Sequence, residues 1–313
     1  VKLSSASHRR PDAPLRRPGA LVMVMSLLIA ACGGATTPTT VAPTQATTPT
    51  LAPTPTEAPT PSPDHEHPVG MIVIGHSGLT GEGTTDAGKP DYDNSWATGT
   101  SPDVNSIYLR LTAVRPEYEG HVANTAYGGA KASALVFQAT SALSAVPVPA
   151  FAIISTIDND IQCDGQDLDR VAKFGQDVAA GIKVITTASP NVRILIIGQF
   201  GRPNATFLKS LIARDPTAIA GLQGDGPCDA FDASGKLVQA HLDYLITLID
   251  AFEAEQARVC ALVPQSQTDG GVRKAWVDHL EYFSSDWNHL NVAGQAAEAA
   301  QMWPVVQQVL GLS

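Results

Sequence analysis

The chain has 313 residues, of which 44% are hydrophobic and 16% charged, enough apolar content for a sizeable core. It carries 20 Lys and Arg against 30 Asp and Glu, a formal net charge of −10. That acidic balance argues against a nucleic-acid binder and against broad adhesion to anionic lipid.

Residues 1–31 read as an export signal. Arg9, Arg10, Arg16 and Arg17 form a basic stretch, and residues 20–31 are an apolar run too short for a comfortable membrane span. The run ends in Leu28-Ile29-Ala30-Ala31-Cys32, which resembles the bacterial lipoprotein lipobox. The resemblance implies cleavage before Cys32 and acylation of its thiol and amine, placing the protein in the cell envelope, outside the cytoplasm and anchored to a membrane. After Cys32, residues 33–68 are dominated by Thr, Pro and Ala. Such a stretch cannot bury a core and is expected to stay extended as a tether. In the polyproline II limit it reaches on the order of 100 Å. Removal of the signal leaves 15 bases against 29 acids, a net charge of −14.

Residues 69–313 read as one α/β domain. Strands are predicted at Met71–Gly75 and near 121–124, 151–156, 192–198 and 259–263. Helices are predicted near 104–114, 130–143, 167–188, 234–256 and 292–310. This alternation implies a five-stranded parallel sheet covered on both faces, a three-layer α/β/α arrangement. The segment 200–231 is long for a loop, and 205–214 within it reads as a short helix. Following a strand end, it is either a wall of the substrate site or an inert insertion.

In doubly wound sheets, sites gather at the carboxyl ends of strands. Ser77 follows the first predicted strand, Gly128-Gly129 the second and Asn159 the third. His289 lies between the fifth strand and the last helix, so these positions converge on one edge of the sheet. Cys163 and Cys228 sit in polar loops, and Cys260 in the apolar run 259–263 reads as a small buried hydrophobe. With Cys32 assigned to lipid, an exported protein is expected to pair Cys163 with Cys228. No zinc-type cysteine spacing is present. Asp86, Asp91, Asp93 and Asn94 do not match a calcium loop and read as a solvated rim, so no metal is expected. His65, His67, His121, His241 and His279 lack a partner pattern. Trp96 and Tyr127, close to the motif loops, either line a pocket or pack.

The chemistry concentrates in Asp286-Trp287-Asn288-His289-Leu290-Asn291. A carboxylate three residues before a histidine can reach back to one ring nitrogen while the other faces a cleft, which makes the imidazole a general base awaiting a nucleophile. The matching nucleophile is Ser77, in Met71-Ile72-Val73-Ile74-Gly75-His76-Ser77-Gly78. The Gly-x-Ser-x-Gly elbow of α/β-hydrolases is not met, because position 79 is leucine.

From about residue 70 to 312 the chain resembles the SGNH (GDSL-type) hydrolases. Gly75-His76-Ser77 stands at the first block, Asn124-Thr125-Ala126-Tyr127-Gly128-Gly129 at the second, Ile157-Asp158-Asn159-Asp160 at the third, and Asp286 to Asn291 at the last. The resemblance implies a flavodoxin-like SGNH fold with Ser77, Asp286 and His289 as the triad. It also implies an oxyanion hole from the Ser77 and Gly129 backbone N–H groups and the Asn159 amide, with no cofactor. Two positions depart from the pattern. His76 replaces the usual aspartate and is read as a local hydrogen-bonding residue, and Ile157 replaces the usual glycine. The expected activity is hydrolysis of carboxylic esters through an acyl-serine, by an esterase or lysophospholipase-like enzyme acting as a monomer. A polysaccharide O-acetyl esterase and a non-catalytic envelope-binding lipoprotein are the alternatives.

Overall fold

The computed structural model describes residues 67–86 and 88–312. The export signal, Cys32 and the tether up to residue 66 lie outside the described residues.

Five strands, β1 (Met71–Gly75), β2 (Val122–Asn124), β3 (Phe151–Ser155), β4 (Arg193–Ile197) and β5 (Ser266–Thr268), form one sheet in the order β2-β1-β3-β4-β5. Every pairing is parallel, with Met71 opposite Val122 and Phe151. This is the flavodoxin-like strand order, and it reverses direction between β1 and β3. Among the described residues the six α-helices are α1 (Ile107–Val114), α2 (Leu135–Ala145), α3 (Asp167–Ala188), α4 (Ala205–Arg214), α5 (Gln239–Cys260) and α6 (Val292–Leu310).

The sheet is buried on both faces, which is why β1 and β3 read as unbroken apolar runs. Successive side chains point to opposite faces. Ile72, Ile74, Ile154, Ile194 and Ile196 meet α2, α3 and α5 through Leu135, Val178, Ile182 and Phe252. Met71, Val73, Ile153, Leu195 and Ile197 meet α1 and α6 through Ile107, Leu111, Met302 and Val306. The three-layer architecture expected from the sequence is therefore present. The ends of α6 follow from its capping residues. The Asn291 side chain accepts from Gly294 N, and Gly311 takes the left-handed conformation that releases the chain.

The fifth strand corrects the sequence reading. Val259 and Cys260 are the last residues of α5, with Cys260 buried, and the strand is the polar Ser266–Thr268. Ile249, Phe252, Gln256 and Val259 recur at helical spacing and are all buried. The run 259–263 alone is too short to separate strand from buried helix. β5 pairs only with β4 and is not fully buried, so it needs no apolar run. The same helix begins at Gln239, five residues later than the sequence suggested.

The segment 200–231 is not a bare loop. It contains α4 and a 3-10 turn, Pro216–Gly221. Leu208, Leu211, Leu222, Ala230 and Phe231 pack with Leu242 of α5 into a separate apolar cluster. Cys163 and Cys228 form a disulfide that ties this segment to the loop after β3.

Candidate active site

The serine turn grows from the end of β1. Gly75 is required there, because its φ is 143° and a Cβ would fall 2.0 Å from the Ser155 carbonyl oxygen. The buried Gln138 of α2 clamps this glycine twice: Gly75 N donates to its Oε1 and its Nε2 donates to Gly75 O, each at 2.8 Å. Ser77 opens the 3-10 turn Ser77–Leu79 and is buried. Thr80 Oγ1 donates to Ser77 O at 2.8 Å, and Trp96 Nε1 donates to Gly78 O at 2.9 Å. Trp96 is thus a fully buried support of the turn, while Tyr127 is exposed.

His76 is held by its neighbours on the turn and in β3. Its Nδ1 accepts from Gly78 N at 3.1 Å, so the ring proton sits on Nε2, which faces Ser155 Oγ at 3.1 Å. Arg273 Nη1 reaches the same hydroxyl at 3.4 Å and Gly198 O at 2.9 Å. The guanidinium is paired with Glu298, Nη2 to Oε1 at 2.7 Å, both side chains being buried. Burial pushes the Glu298 carboxyl up to about 7, against the pull of Arg273. A buried polar chain therefore runs beneath the serine turn. His76 is a local hydrogen-bonding residue, as its neighbours on the turn imply.

The Asp286–His289 pair is built by a local turn. Asp286 Oδ1 accepts from Ser284 Oγ (2.6 Å), Asn288 N (2.9 Å) and His289 N (2.9 Å), while Oδ2 faces His289 Nδ1 at 2.7 Å. Trp287 takes a left-handed φ of 54° to let the loop close. Burial works to raise the Asp286 carboxyl, but the hydrogen bonds from His289, Ser284 and Asn288 outweigh it and hold the group below the carboxylate range. Burial works to lower His289, yet Asp286, with Glu82 and Asp158 behind it, leaves the imidazole net raised. Nδ1 is occupied by the carboxylate, which leaves Nε2 for other partners. Nε2 lies 3.8 Å from Glu82 Oε1.

His289 and Ser77 line one cleft of about 50 Å³, together with Asp158, Gln199 and Arg273. Among the described residues no direct hydrogen bond joins the two.

The two loops named for the oxyanion hole are bound to each other. Asn159, buried, donates from Nδ2 to Ala130 O at 3.1 Å. Asp160 accepts from Ala132 N at 3.0 Å and from Ile157 N at 3.2 Å. Burial raises Asp160 to about 6 despite those bonds. Gly129 sits in the left-handed region at φ 77°, and Ile157 does so at 86° while fully buried. From the second block, Asn124 Nδ2 donates to Leu79 O at 2.8 Å, joining that loop to the serine turn. Ser77 and His289 thus share one cleft, Asn159 lines the neighbouring cavity, and Gly129 lines neither, although the loops carrying Asn124 and Asn159 are bonded to their neighbours.

The acidic loop caps itself. Asp91 accepts from Thr84 and Asn94, and Asp93 from Thr100. Among the described residues no group of three or more His, Cys, Asp or Glu could hold a metal. Glu82, Gln138, Arg273 and Glu298 carry no local sequence signal and become visible only through burial.

No protein-family model matches the chain, and no curated protein matches it. Solved structures similar to it include phospholipase A1 from Streptomyces albidoflavus NA297, at 13% identity over 76% of this chain and 98% of that one, with a TM-score of 0.45. An extracellular lipase from Streptomyces rimosus is 16% identical over 78% of this chain and 100% of its own, also with a TM-score of 0.45. A carbohydrate esterase family 2 enzyme with its carbohydrate-binding domain, from Corynascus thermopiles, is 12% identical over 80% and 69%, with a TM-score of 0.43.

Proposed function

We propose that the chain is a serine esterase of the SGNH type that hydrolyses carboxylic esters. The observation that supports this most is the 2.7 Å Asp286–His289 contact, which orients an imidazole into the cleft that Ser77 lines. Ser77 Oγ attacks the acyl carbon while His289 Nε2 takes its proton. The resulting imidazolium is stabilised by Asp286 and returns the proton to the leaving alcohol oxygen, leaving an acyl-serine. Water then attacks the acyl carbon, again losing a proton to His289, and the acid departs as Ser77 recovers its hydrogen. The carbonyl oxygen, negative in each tetrahedral state, is received by Ser77 N, Gly129 N and Asn159 Nδ2. Each such donor is worth about 2.7–4 kcal/mol of transition-state stabilisation.

The enzyme is further proposed to act outside the cytoplasm, held to a membrane by acyl groups on Cys32. The support is the lipobox-like sequence, together with a Cys163–Cys228 disulfide suited to oxidising conditions. Two measurements test the pair of readings. Ser77→Ala is expected to keep its fold and lose p-nitrophenyl ester hydrolysis and fluorophosphonate labelling by roughly 10⁴-fold or more. Retained activity in that variant would sink the mechanism. Intact-mass analysis of the membrane-extracted chain is expected to find a lipidated Cys32 at the N-terminus, and an unmodified Cys32 would sink the anchor alone.

A further inference from the structure

Beside the catalytic cleft lies a second, larger cavity of about 510 Å³. The two share Asp158 and Gln199, which are joined by a Gln199 Nε2 to Asp158 Oδ1 hydrogen bond of 3.1 Å. The larger cavity also touches Asn159, the proposed oxyanion donor, but not His289. Part of its wall is apolar, with Leu208 from α4, Leu222 from the turn after it, and Leu242, Leu245 and Ile249 from α5. Cys163 and Cys228 stand in its wall, so the disulfide fixes the inserted segment against the oxyanion loop. Polar side chains share that wall, Lys131, Gln162 and Asp229 among them, the last accepting from Gly226 N at 2.7 Å.

We infer that this cavity is the acyl-chain site, which would make the enzyme an esterase for medium and long acyl groups rather than for acetyl. The inference rests on the esterase reading above. The direction follows from the reaction. The leaving oxygen must face His289 Nε2, which protonates it, and the carbonyl oxygen must face Asn159. The acyl chain takes the remaining direction at the acyl carbon, away from His289, and the cavity, which shares Asp158 and Gln199 with the cleft and lacks His289, is the space placed to receive it. The size follows from the volume. At about 30 Å³ for a water-sized group, the cavity holds on the order of ten or more methylene-sized groups. An acetyl group leaves it almost empty, whereas an octanoyl or decanoyl chain removes its leucines from water. Each methylene buried is worth about 0.8 kcal/mol, or about fourfold in kcat/KM.

The test is kcat/KM for p-nitrophenyl esters from acetate to decanoate, in the wild type and in Leu245→Trp. Leu245 lines the cavity without being fully buried, so the larger ring projects into free space. The wild type is expected to prefer octanoate over acetate by at least about a hundredfold. In Leu245→Trp the octanoate-to-acetate ratio is expected to fall at least about thirtyfold, with circular dichroism and fluorophosphonate labelling of Ser77 confirming fold and nucleophile. A flat or acetate-favouring wild-type profile, or a ratio unmoved in the variant, overturns the acyl site while leaving the esterase reading intact. It would instead turn attention to acetylated carbohydrate. Absence of hydrolysis at every chain length, with Ser77 unlabelled, overturns both.

Discussion

Removing the Arg273 guanidinium is expected to make stability depend on pH in a way that locates the buried ion pair. The Arg273–Glu298 contact of 2.7 Å lies between side chains that are 4% and 2% exposed. In Arg273→Met, two costs separate. Gly198 O loses the Nη1–H that it accepts at 2.9 Å, a buried acceptor left unpaired, which costs about 1–3 kcal/mol at any pH. The second cost is the charge on Glu298. Burial already raises this carboxyl to about 7 with Arg273 beside it, and without the cation it rises further. A carboxyl raised above its unfolded value binds its proton more tightly when folded, so its contribution is lost as pH climbs through the folded value. Below about pH 7 Glu298 is protonated in both proteins and their difference is constant. Above it the variant keeps losing about 1.4 kcal/mol per pH unit relative to the wild type. At about pH 8.5 that adds roughly 2 kcal/mol, bringing the total to about 3–5 kcal/mol, the range for a broken buried pair. Urea unfolding followed by far-UV circular dichroism at about pH 6 and 8.5 measures both costs. Adding Glu298→Gln to Arg273→Met is expected to abolish the pH-dependent part and leave about 1–3 kcal/mol. A single-variant loss that is the same at both pH values, or a double variant no more stable than the single at the higher one, would refute the reasoning.

Two further outcomes follow from the site and the disulfide. His289 must be neutral to accept a proton, and its pKa is raised, so wild-type kcat/KM is expected to fall as pH drops through a midpoint above 6.5. Asp286→Asn is expected to lower that midpoint and cut kcat by roughly 10⁴-fold; an unshifted pH profile would show that Asp286 does not act on the imidazole. Replacing Cys163 and Cys228 together by Ser removes a crosslink spanning 65 positions and is expected to cost about 4 kcal/mol in chemical unfolding. A loss below about 1 kcal/mol would mean that the insertion is held by its apolar cluster alone.

What the sequence showed in advance was whatever depends on neighbours along the chain. β1 and β3 were legible because residues such as Ile72 and Val73 bury on opposite faces, giving unbroken apolar runs. α6 was legible from its alanine-rich run, and its caps, Asn291 and Gly311, were found only in the fold. Asp286 and His289 were legible because three residues suffice to bring carboxylate and imidazole together. β5 was not, since a polar edge strand has no pattern of its own and the more apolar run nearby belongs to the end of α5. Gln138 and Arg273 were equally hidden. Gln138 meets Gly75 across 63 positions, and Arg273 meets Ser155 across 118. A glutamine on a helix or an arginine in a loop reads as solvent-facing until the fold encloses it.

The two departures from the family pattern show which parts of the site depend on residue type and which on the surrounding structure. At position 76 the imidazole both accepts from Gly78 N and donates to Ser155 Oγ, coupling the serine turn to β3. A carboxylate there would accept from Gly78 N but leave Ser155 without that donor. At position 157 a β-branched residue holds φ 86°, a conformation that glycine takes without steric cost. The strain is on the order of 1–3 kcal/mol. It persists because the loop is fixed from outside, by Asp160 accepting from Ile157 N and Ala132 N and by Asn159 donating to Ala130 O. Burying the whole isoleucine side chain in the cluster around Ile154 and Phe174 offsets that strain by an amount of similar size, about 1.5–3 kcal/mol. The position of Asn159 is therefore set by the contacts between the two oxyanion loops, and glycine is not needed to reach it.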